Sequence, residues 1–469
     1  MEEMKEYEKV NQKEKRASDM CTRPLLGKII LFSLPLIATG ILQLLYNAAD
    51  IIVVGRFADH TAMAAVGSTS SLVNLIINLF IGLSVGTLSV MSRQIGAGNR
   101  EKADKIVHTS IPLSLIGGVI VGIIGFFGAR FFLELMKTDL KVIDQAVIYL
   151  QIYFIGMPFC MLYNFGASIL RACGDTKSPL IVLCVSGLIN VGINFWLVAG
   201  YNLGVVGVAV GTTASQIISS VAILFLLAKR KDYGKFSFRK MKIHGATLAE
   251  IIRIGLPAGI QGMTFSLSNV IIQSSINSFG DIAMAGNAAA SSIEGFIYTS
   301  MNAISQACLT FTAQNYGAHK LSNLKLVLIQ CILIVCSIGI ALAGIVFLFK
   351  EPLLTLYNKE PEVIRYGAER LVYICLPYLL CGVMEVLVGS LRGMRCSFLP
   401  MIFSIVAICG GRILWIYTVF KFNHTLPMLY LSYPISWLVA ILLHFFTYIF
   451  VSRKVKKELL PETTQSQQQ

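Results

Sequence analysis

Charged residues are scarce in this chain. Asp, Glu, Lys and Arg make up only 14% of its 469 residues, whereas 55% of the residues are hydrophobic. The mean hydropathy of +0.71 implies far more apolar surface than a soluble globular protein of this length can bury. The composition therefore excludes a soluble globular protein and predicts a polytopic membrane protein.

Motifs of enzymes and ATP-driven pumps are missing from the sequence. There is no Cys-x-x-Cys, no Cys/His cluster and no His-Glu-x-x-His, and the six histidines are scattered. A Gly-x-x-x-x-Gly-Lys-Ser/Thr loop is also missing, which argues against direct use of ATP. Most of the 11 cysteines fall inside apolar segments, where a thiol behaves as a small hydrophobic side chain. We therefore expect no enzymatic activity, no cofactor, no disulfide and no metal centre.

Apolar segments recur along the whole chain. Crossing about 30 Å of hydrocarbon takes roughly 20 residues in a helix. Segments of this kind are found near residues 29–54, 62–90, 107–129, 143–168, 177–199, 204–228, 249–276, 283–310, 324–349, 364–388, 398–420 and 426–451. The sequence thus predicts an all-α protein with about 12 transmembrane helices, which we number as spans one to twelve.

The second half of the chain repeats the first at an offset of about 221 residues. The matches are Pro35 with Pro257, Gly96-Ala97 with Gly317-Ala318, and Leu170-Arg171 and Pro179 with Leu391-Arg392 and Pro400. A period of this length, built from apolar segments, predicts two six-helix lobes. Because six is even, both lobes share one orientation and are related by a pseudo-two-fold axis along the membrane normal.

Charge and composition predict the domain boundaries. We expect an N-terminal tail over residues 1–28, an N-lobe over 29–228, a basic linker over 229–247, a C-lobe over 248–452 and a C-terminal tail over 453–469. Most Lys and Arg lie on the side of the two tails and the linker, which predicts that these segments are cytoplasmic and that the chain spans the plasma (inner) membrane. Residues 1–28 lack the apolar core of a cleavable signal peptide.

The net charge of +14 raises the question of a nucleic-acid partner. The densest basic run lies in the linker, between spans six and seven. At this position it is better explained as a determinant of topology that touches anionic headgroups. We therefore expect the lipid bilayer and small organic molecules as partners, with no nucleic acid and no ATP, and a monomer as the default state.

Three acids, Asp50, Glu294 and Glu385, stand inside predicted spans. An ionisable side chain at membrane depth costs about 3 kcal/mol or more, so each acid needs a reason. Helical spacing places Gln43, Tyr46 and Asn47 on the same face as Asp50. Such a stripe can let the carboxylate exchange a proton or bind a sodium ion. The alternative is that Asp50 only forms hydrogen bonds with neighbouring helices.

The other two acids belong to the C-lobe. Glu294 and Glu385 are expected to face the central cavity, where they attract cationic ligands or titrate. The alternative is an interhelical contact, for which Arg412 is the candidate ion-pair partner. Because Asp50 aligns with Ile272 in the repeat, the acid is specific to one lobe.

Two further features concern the N-lobe. Asn190 and Asn194, one helical turn apart in span five, are candidates for contact with the network of Asp50. Pro35 removes a backbone hydrogen bond from span one, so this helix can bend, although a static kink is equally consistent with the sequence.

The chain resembles the multidrug and toxic compound extrusion (MATE) family, of the bacterial type, over about residues 22–455. The resemblance rests on the following segments: Pro35, Tyr46-Asn47-Ala48-Ala49-Asp50-Ile51-Ile52-Val53-Val54-Gly55, Ala64-Ala65-Val66-Gly67, Gln94-Ile95-Gly96-Ala97-Gly98 and Leu170-Arg171-Ala172-Cys173-Gly174-Asp175. Each segment alone is weak, but together they are specific.

The resemblance implies a secondary antiporter that exports organic, often cationic and amphipathic compounds in exchange for H⁺ or Na⁺. Two six-helix lobes would then open alternately to each side of the membrane. Asp50 matches the family's proton or sodium site, Pro35 its bending proline and Asn190 its helix-five Asn. Asn194 stands where several relatives carry a second Asp, so a two-carboxylate relay is not expected. The alternative function is a flippase for a lipid-linked sugar, but acids in the predicted cavity favour cationic cargo.

Overall fold

The structure is a computed structural model that describes residues 19–57, 60–136 and 138–459. Within these residues the chain forms helices and no strand. The outer parts of the two predicted tails, residues 1–18 and 460–469, lie outside the described residues.

Fifteen α-helices follow one another in the described chain. They are α1 (Leu26–Phe57), α2 (His60–Gly96), α3 (Arg100–Leu135), α4 (Leu140–Ile155), α5 (Met157–Ala172), α6 (Lys177–Phe195), α7 (Gly204–Lys229), α8 (Gly245–Asn277), α9 (Asp281–Gly317), α10 (Leu321–Thr355), α11 (Pro361–Cys375), α12 (Tyr378–Gly393), α13 (Phe398–Ser404), α14 (Gly411–Trp415) and α15 (Leu426–Leu459). Short π-helical segments extend α6 and flank α14.

Eight helical segments among the described residues are long and apolar enough to cross a membrane. The count rises to ten if α4 with α5 and α11 with α12, bent by 47° and 44°, each form one span. The remaining long helices, α8 and α9, cover predicted spans seven and eight. The predicted all-α membrane fold with two repeated sets of helices is confirmed, and spans four and ten are bent rather than straight.

The described chain divides into two compact units. The N-terminal unit includes Ala38–Gly259, and the C-terminal unit includes Met20–Ile37 together with the chain from Ile260 onward. In the N-terminal unit, Leu133 of α3, Phe154 of α4 and Val208 of α7 are completely buried in one core. The predicted domain boundaries stay predictions, since compactness and sequence repeat divide the chain by different criteria.

Two helices contribute to both units. Helix α1 passes from the C-terminal to the N-terminal unit just after Pro35, and α8 passes from the N-terminal to the C-terminal unit just after Pro257. In the C-terminal unit the first half of α1 packs on α9, where Phe32 meets Phe311 edge to face with ring centroids 5.6 Å apart. The repeat-related prolines therefore mark the same point of both shared helices.

The first half of α8 packs on α2 within the N-terminal unit. A Cβ at Gly82 would lie 2.1 Å from the backbone nitrogen of Gly259, so only glycine allows the two backbones to approach this closely. At the other end of the contact, Arg93 of α2 forms a salt bridge with Glu250 of α8. The N-terminal unit thus needs residues beyond the predicted N-lobe to complete its packing.

The basic linker between α7 and α8 is docked on the N-terminal unit. The Ser237 N–H donates to His108 Nε2 over 3.1 Å, and the ring of buried Phe236 stacks on the His108 ring with centroids 5.7 Å apart. Arg230 bonds the carboxylate of Asp232 at 2.5 Å and 2.6 Å. Phe236 N–H also donates to the carbonyl of Leu227 over 3.1 Å. The linker therefore has its own set of specific contacts in addition to its charge.

Spans five and eleven contain π-helical turns. Trp196–Gly200 follows α6, and Ile416–Phe420 follows α14 at nearly the same place of the repeat. A further π-helical segment, Ile405–Gly410, precedes α14, whereas the corresponding residues of α6 are regular α-helix. Since π-helical turns often occur at functional sites, the two such segments of span eleven mark it as a candidate functional region.

Candidate functional site

Asp50 near the end of α1 is the centre of a hydrogen-bonded cluster in the N-terminal unit. Asn194 Nδ2 of α6 donates to Asp50 Oδ1 over 2.6 Å. The Thr212 hydroxyl of α7 donates to Asp50 Oδ2 over 3.5 Å. Three helices therefore meet at one carboxylate, and both of its oxygens accept a hydrogen bond.

Asn190 completes this cluster. With its amide oriented so that both of its groups are satisfied, Asn190 donates to Asp50 Oδ1 over 3.0 Å and accepts from the Thr212 N–H over 3.2 Å. Asn190 and Asn194 are 4% and 0% exposed, so these bonds are shielded from solvent. Every one of these donors is neutral, so dipoles and no positive charge stabilise the carboxylate.

A glycine makes room for the cluster. A Cβ at Gly211, one residue before Thr212, would lie 1.9 Å from Asn194 Oδ1. Any larger residue at this position would force the amide of Asn194 away from Asp50. The local sequence Gly211-Thr212 therefore combines close approach of α7 to α6 with a hydroxyl donor.

The residues of the predicted polar stripe of α1 lie in different surroundings in the structure. Tyr46 packs against α6 and donates from its hydroxyl to the carbonyl of Cys184 over 3.2 Å. Gln43 and Asn47, by contrast, are exposed. Pro35 lies inside α1 as expected. The structure brings Asp50 to Asn190 and Asn194, but Thr212 was missed; its place inside predicted span six was the signal.

Glu294 of α9 is paired with Arg370 of α11. The guanidinium donates from Nε and Nη2 to the two carboxylate oxygens, each over 2.8 Å, and both side chains are buried. Arg370 Nη1 also donates to Asn287 Oδ1 over 2.6 Å. Such a bidentate pair neutralises the acid. Arg370 was missed from the sequence, although a charged residue inside predicted span ten indicates a partner.

Arg412, the predicted ion-pair partner of the C-lobe acids, bonds neutral groups instead. Its Nε donates to Ser436 Oγ over 3.2 Å, and its Nη1 lies 3.3 Å from both Ser268 Oγ and Asn269 Oδ1. The ring of Tyr433 lies 4.0 Å from the guanidinium carbon. The prediction for Arg412 was wrong with respect to Glu294, because Arg370 stands closer in the fold and fills that role.

Glu385 of α12 is buried beside a different cation. Its backbone carbonyl accepts from Ser305 Oγ over 2.7 Å. Arg392, two turns further along the same helix, interacts with Glu385 electrostatically and donates from Nη2 to Gln261 Oε1 over 2.9 Å. Among the described side chains, both C-lobe acids therefore have an arginine nearby, whereas Asp50 has only neutral partners.

Comparison with known proteins agrees with the repeat and with the fold. The MatE family model matches residues 35–196 and again residues 257–418, which together exceed half of the chain. The chain belongs to the MATE family of membrane transporters. The two matches correspond to the two repeats, so the predicted family resemblance is confirmed.

Individual MATE relatives resemble the chain over most of its length. The probable multidrug resistance protein YoeA of Bacillus subtilis is 30% identical over 90% of this chain and 93% of its own. A protein of Shewanella oneidensis named FAD transporter is 24% identical over 82% of this chain and 85% of its own. A crystal structure of MATE in complex with MaL6 superimposes with a TM-score of 0.88 at 23% identity, covering 94% of this chain and 99% of that one.

Proposed function

We propose that this MATE protein is a secondary antiporter that exports organic, amphipathic compounds in exchange for H⁺ or Na⁺. The observation that carries the proposal is the carboxylate of Asp50, held between α1, α6 and α7 by neutral donors only. A carboxylate within a membrane span is costly unless it has a function or a partner charge. Here no partner charge lies within 4 Å among the described residues.

Proton exchange at Asp50 changes the hydrogen bonds of three helices. In the ionised state the carboxylate accepts from Asn194, Asn190 and Thr212. A protonated carboxyl has one O–H to donate and weaker acceptor oxygens, so it needs an acceptor that the ionised group does not need, and the Thr212 hydroxyl can turn to supply one. Binding and release of the proton are thereby coupled to the packing of α6 and α7 against α1, which is the kind of two-state element that alternating access requires.

Sodium exchange would use the same cluster. Carboxylate, amide and hydroxyl oxygens are suitable ligands for a hard cation. Asp50, Asn190 and Thr212 each contribute such an oxygen, and Asn194 contributes another. The cluster thus supports either coupling ion, and the choice between them is made by experiment.

The cargo is proposed from relatives and from the charges in the fold. YoeA is named a probable multidrug resistance protein, and the Shewanella oneidensis relative is named an FAD transporter, so organic cargo extends to compounds that carry phosphate. The preference for cations predicted from the sequence loses support, because Arg370 neutralises Glu294. We place the protein in the plasma membrane with both termini cytoplasmic, in keeping with the distribution of Lys and Arg.

Transport by the purified protein tests the proposal. The full chain is reconstituted in liposomes with an outward gradient of H⁺ or of Na⁺, and uptake of a fluorescent organic cation is followed. We expect accumulation under one gradient and its loss in Asp50→Asn, because an amide cannot carry the proton and lacks the charge that binds sodium. The matched control is Asp144→Asn, which removes an exposed acid of α4.

Each result has a definite meaning. Accumulation that persists in Asp50→Asn contradicts the assigned role of the cluster. Absence of accumulation in the wild-type protein under both gradients contradicts cation-coupled export of that cargo. Loss in Asp144→Asn as well would show that the assay reports general damage to the protein.

A further inference from the structure

Within the described residues, Arg412 is a buried cation without a carboxylate partner. The side chain is only 2% exposed, and its three hydrogen-bond partners, Ser436, Ser268 and Asn269, are neutral. In the described part of the chain no carboxylate lies within 4.0 Å of its guanidinium. An isolated charge in a membrane span is retained only where something stabilises it or uses it.

The other buried charges of the C-terminal unit do not neutralise Arg412. The carboxylate of Glu294 is taken up by Arg370 in a bidentate pair. Tyr433 stands between the two arginines, 5.5 Å from Arg370 and 4.0 Å from Arg412. The aromatic face stabilises a cation but adds no negative charge. Among the described side chains around Arg412, the carboxylate of Glu294 is therefore not available to balance its charge.

The helix around Arg412 is irregular on both sides. The π-helical segments Ile405–Gly410 and Ile416–Phe420 flank the five residues of α14. Gly410 is exposed and Gly411 is partly exposed, so no side chain covers the backbone just before Arg412. Irregular turns of this kind let a helix present a side chain that a regular helix would direct elsewhere.

The two repeats differ in the charges of their first and fifth helices. Gly411 is the counterpart of Asn190, so Arg412 lies one residue beyond the position whose N-terminal equivalent bonds Asp50. Asn269, which accepts from Arg412, is the counterpart of Asn47, and Ile272 replaces Asp50. One repeat thus carries an acid in its first helix, whereas the other carries a base in its fifth helix.

We propose that Arg412 binds an anionic group of the exported compound, a carboxylate or a phosphate. The guanidinium offers several N–H donors in a plane that matches both groups, and the hydroxyls of Ser268 and Ser436 can rotate to donate as well. Asn269 is exposed and its bond to Arg412 is long at 3.3 Å, so an anion can replace the Asn269 oxygen by displacing one side chain. The inference rests on the proposed export of organic compounds and defines one chemical class of them.

A matched pair of dyes tests this inference without any gradient. Rhodamine B carries a free carboxylate, and its ethyl ester carries a neutral ester group, two carbons larger, in the same place. Binding of each dye to the detergent-solubilised full chain is measured by fluorescence anisotropy. The variants are Arg412→Gln and Arg412→Lys, and the control is Arg365→Gln, which removes an exposed arginine of α11.

We expect the wild-type protein to bind the acid about tenfold more tightly than the ester, the size of one charge-assisted hydrogen bond. Arg412→Gln should weaken binding of the acid by about tenfold and change binding of the ester by less than about twofold. Arg412→Lys retains the charge and should keep part of the preference, and Arg365→Gln should keep all of it. Equal affinities of the wild-type protein for the two dyes overturn the inference without reference to any variant, and equal losses for both dyes in Arg412→Gln overturn it too.

A chloride titration separates the cargo from an inorganic ion. If millimolar chloride, added at constant ionic strength against methanesulfonate, abolishes the preference for the acid, the site takes a small inorganic anion and the assignment to cargo is overturned. If the preference persists, the assignment is supported. Because binding is measured without a gradient, failure of the proposed antiport would leave this result unchanged, so the two proposals fail separately.

Discussion

At the scale of single residues, two acids of the membrane spans are stabilised in different ways. Glu294 is held by the charge of Arg370, whereas Asp50 is held by amides and a hydroxyl. A charge paired with another charge is fixed in place, because either partner alone is left buried without compensation. A charge held by neutral dipoles can gain or lose a proton without leaving a second charge behind. This difference is why we assign ion exchange to Asp50 and a structural role to Glu294.

The structural role predicts a large loss of stability on breaking the Glu294–Arg370 pair. Each of Glu294→Gln and Arg370→Met should lower the free energy of unfolding by about 3–5 kcal/mol, because one charge stays buried alone. The double variant should lose clearly less than the sum of the two single changes. Equilibrium unfolding by SDS in mixed micelles provides the measurement.

The control for this prediction is the exposed pair Glu362 and Arg365, three residues apart on the same helix. Removing an exposed ion pair typically changes stability by less than about 1 kcal/mol. Additive losses in the Glu294/Arg370 double variant, or losses as small as those of the control pair, would contradict the assignment.

Part of the residue-scale picture could be read from the sequence. Asp50 stands out as one of three acids inside predicted spans, and Asn190 and Asn194 stand out because they are one helical turn apart in span five. Arg370 and Thr212 could have been noticed because they too are polar side chains inside predicted spans. Which cation pairs with which acid could not be deduced from the sequence. Glu294 and Arg370 are 76 residues apart, and only the packing of α9 against α11 brings them together.

At the scale of elements, the basic linker packs against α3 of the N-terminal unit. The sequence predicted a cytoplasmic linker from charge alone, but its contacts with His108 join residues 129 apart and leave no periodic signal. A Cβ at Gly234 would lie 3.2 Å from the sulfur of Cys173, in the loop that follows α5. Burial raises the pKa of the Cys173 thiol to about 12, against a smaller opposing effect of Arg230.

The covered thiol of Cys173 predicts slow alkylation. With its pKa raised, the reactive thiolate is a minor form at pH 7, and its fraction should grow about tenfold per pH unit until pH approaches the pKa. Phe236→Ala removes a buried ring that anchors the linker and should raise the alkylation rate of Cys173 several-fold. N-ethylmaleimide labelling at several pH values, quantified by mass spectrometry of the Cys173 peptide, gives the rates.

Met241→Ala serves as the control because Met241 is an exposed residue of the same linker. Its rate of labelling at Cys173 should match that of the wild-type protein. Rapid labelling of the wild-type protein at neutral pH, or identical rates in Phe236→Ala and Met241→Ala, would show that the linker does not cover this loop.

At the scale of the whole molecule, the repeat in the sequence and the compact units divide the chain at different points. The repeat predicts two equivalent sets of six spans, and the family model matches both sets. The sharing of α1 and α8 between units was not predictable, because the sequence pattern of a helix carries no record of which neighbour each half packs against. The prolines at the points of change, Pro35 and Pro257, were visible only as helix-bending residues.

Shared helices predict how fragments of the chain behave. A fragment of residues 38–259 keeps the contact of Gly82 with Gly259 and the salt bridge between Arg93 and Glu250. A fragment of residues 29–228, the predicted N-lobe, loses both and leaves the first half of α1 without its unit. We expect the first fragment to resist trypsin in detergent at least about threefold longer than the second, in proportion to its more complete packing.

A substitution separates the contribution of α8 from that of fragment length. Gly259→Leu in the 38–259 fragment blocks the close approach to α2 and should reduce its protection to that of the 29–228 fragment. Equal protection of all three fragments would mean that the first half of α8 adds nothing to the N-terminal unit.

The helix halves contributed across the repeat boundary also bear on the origin of the duplication. In this fold the first half of each repeat's first helix packs in the unit formed by the other repeat. A chain that holds only one repeat would therefore lack a half-helix in its own unit, and its first half-helix would have no unit to pack in. Such a chain completes its fold only by exchanging these halves with a second copy, as in a swapped homodimer. Joining the two copies in one polypeptide turns that encounter into an intramolecular step and removes its dependence on protein concentration. In a single chain the two repeats can also differ in sequence, and here one carries the acid Asp50 and the other the base Arg412.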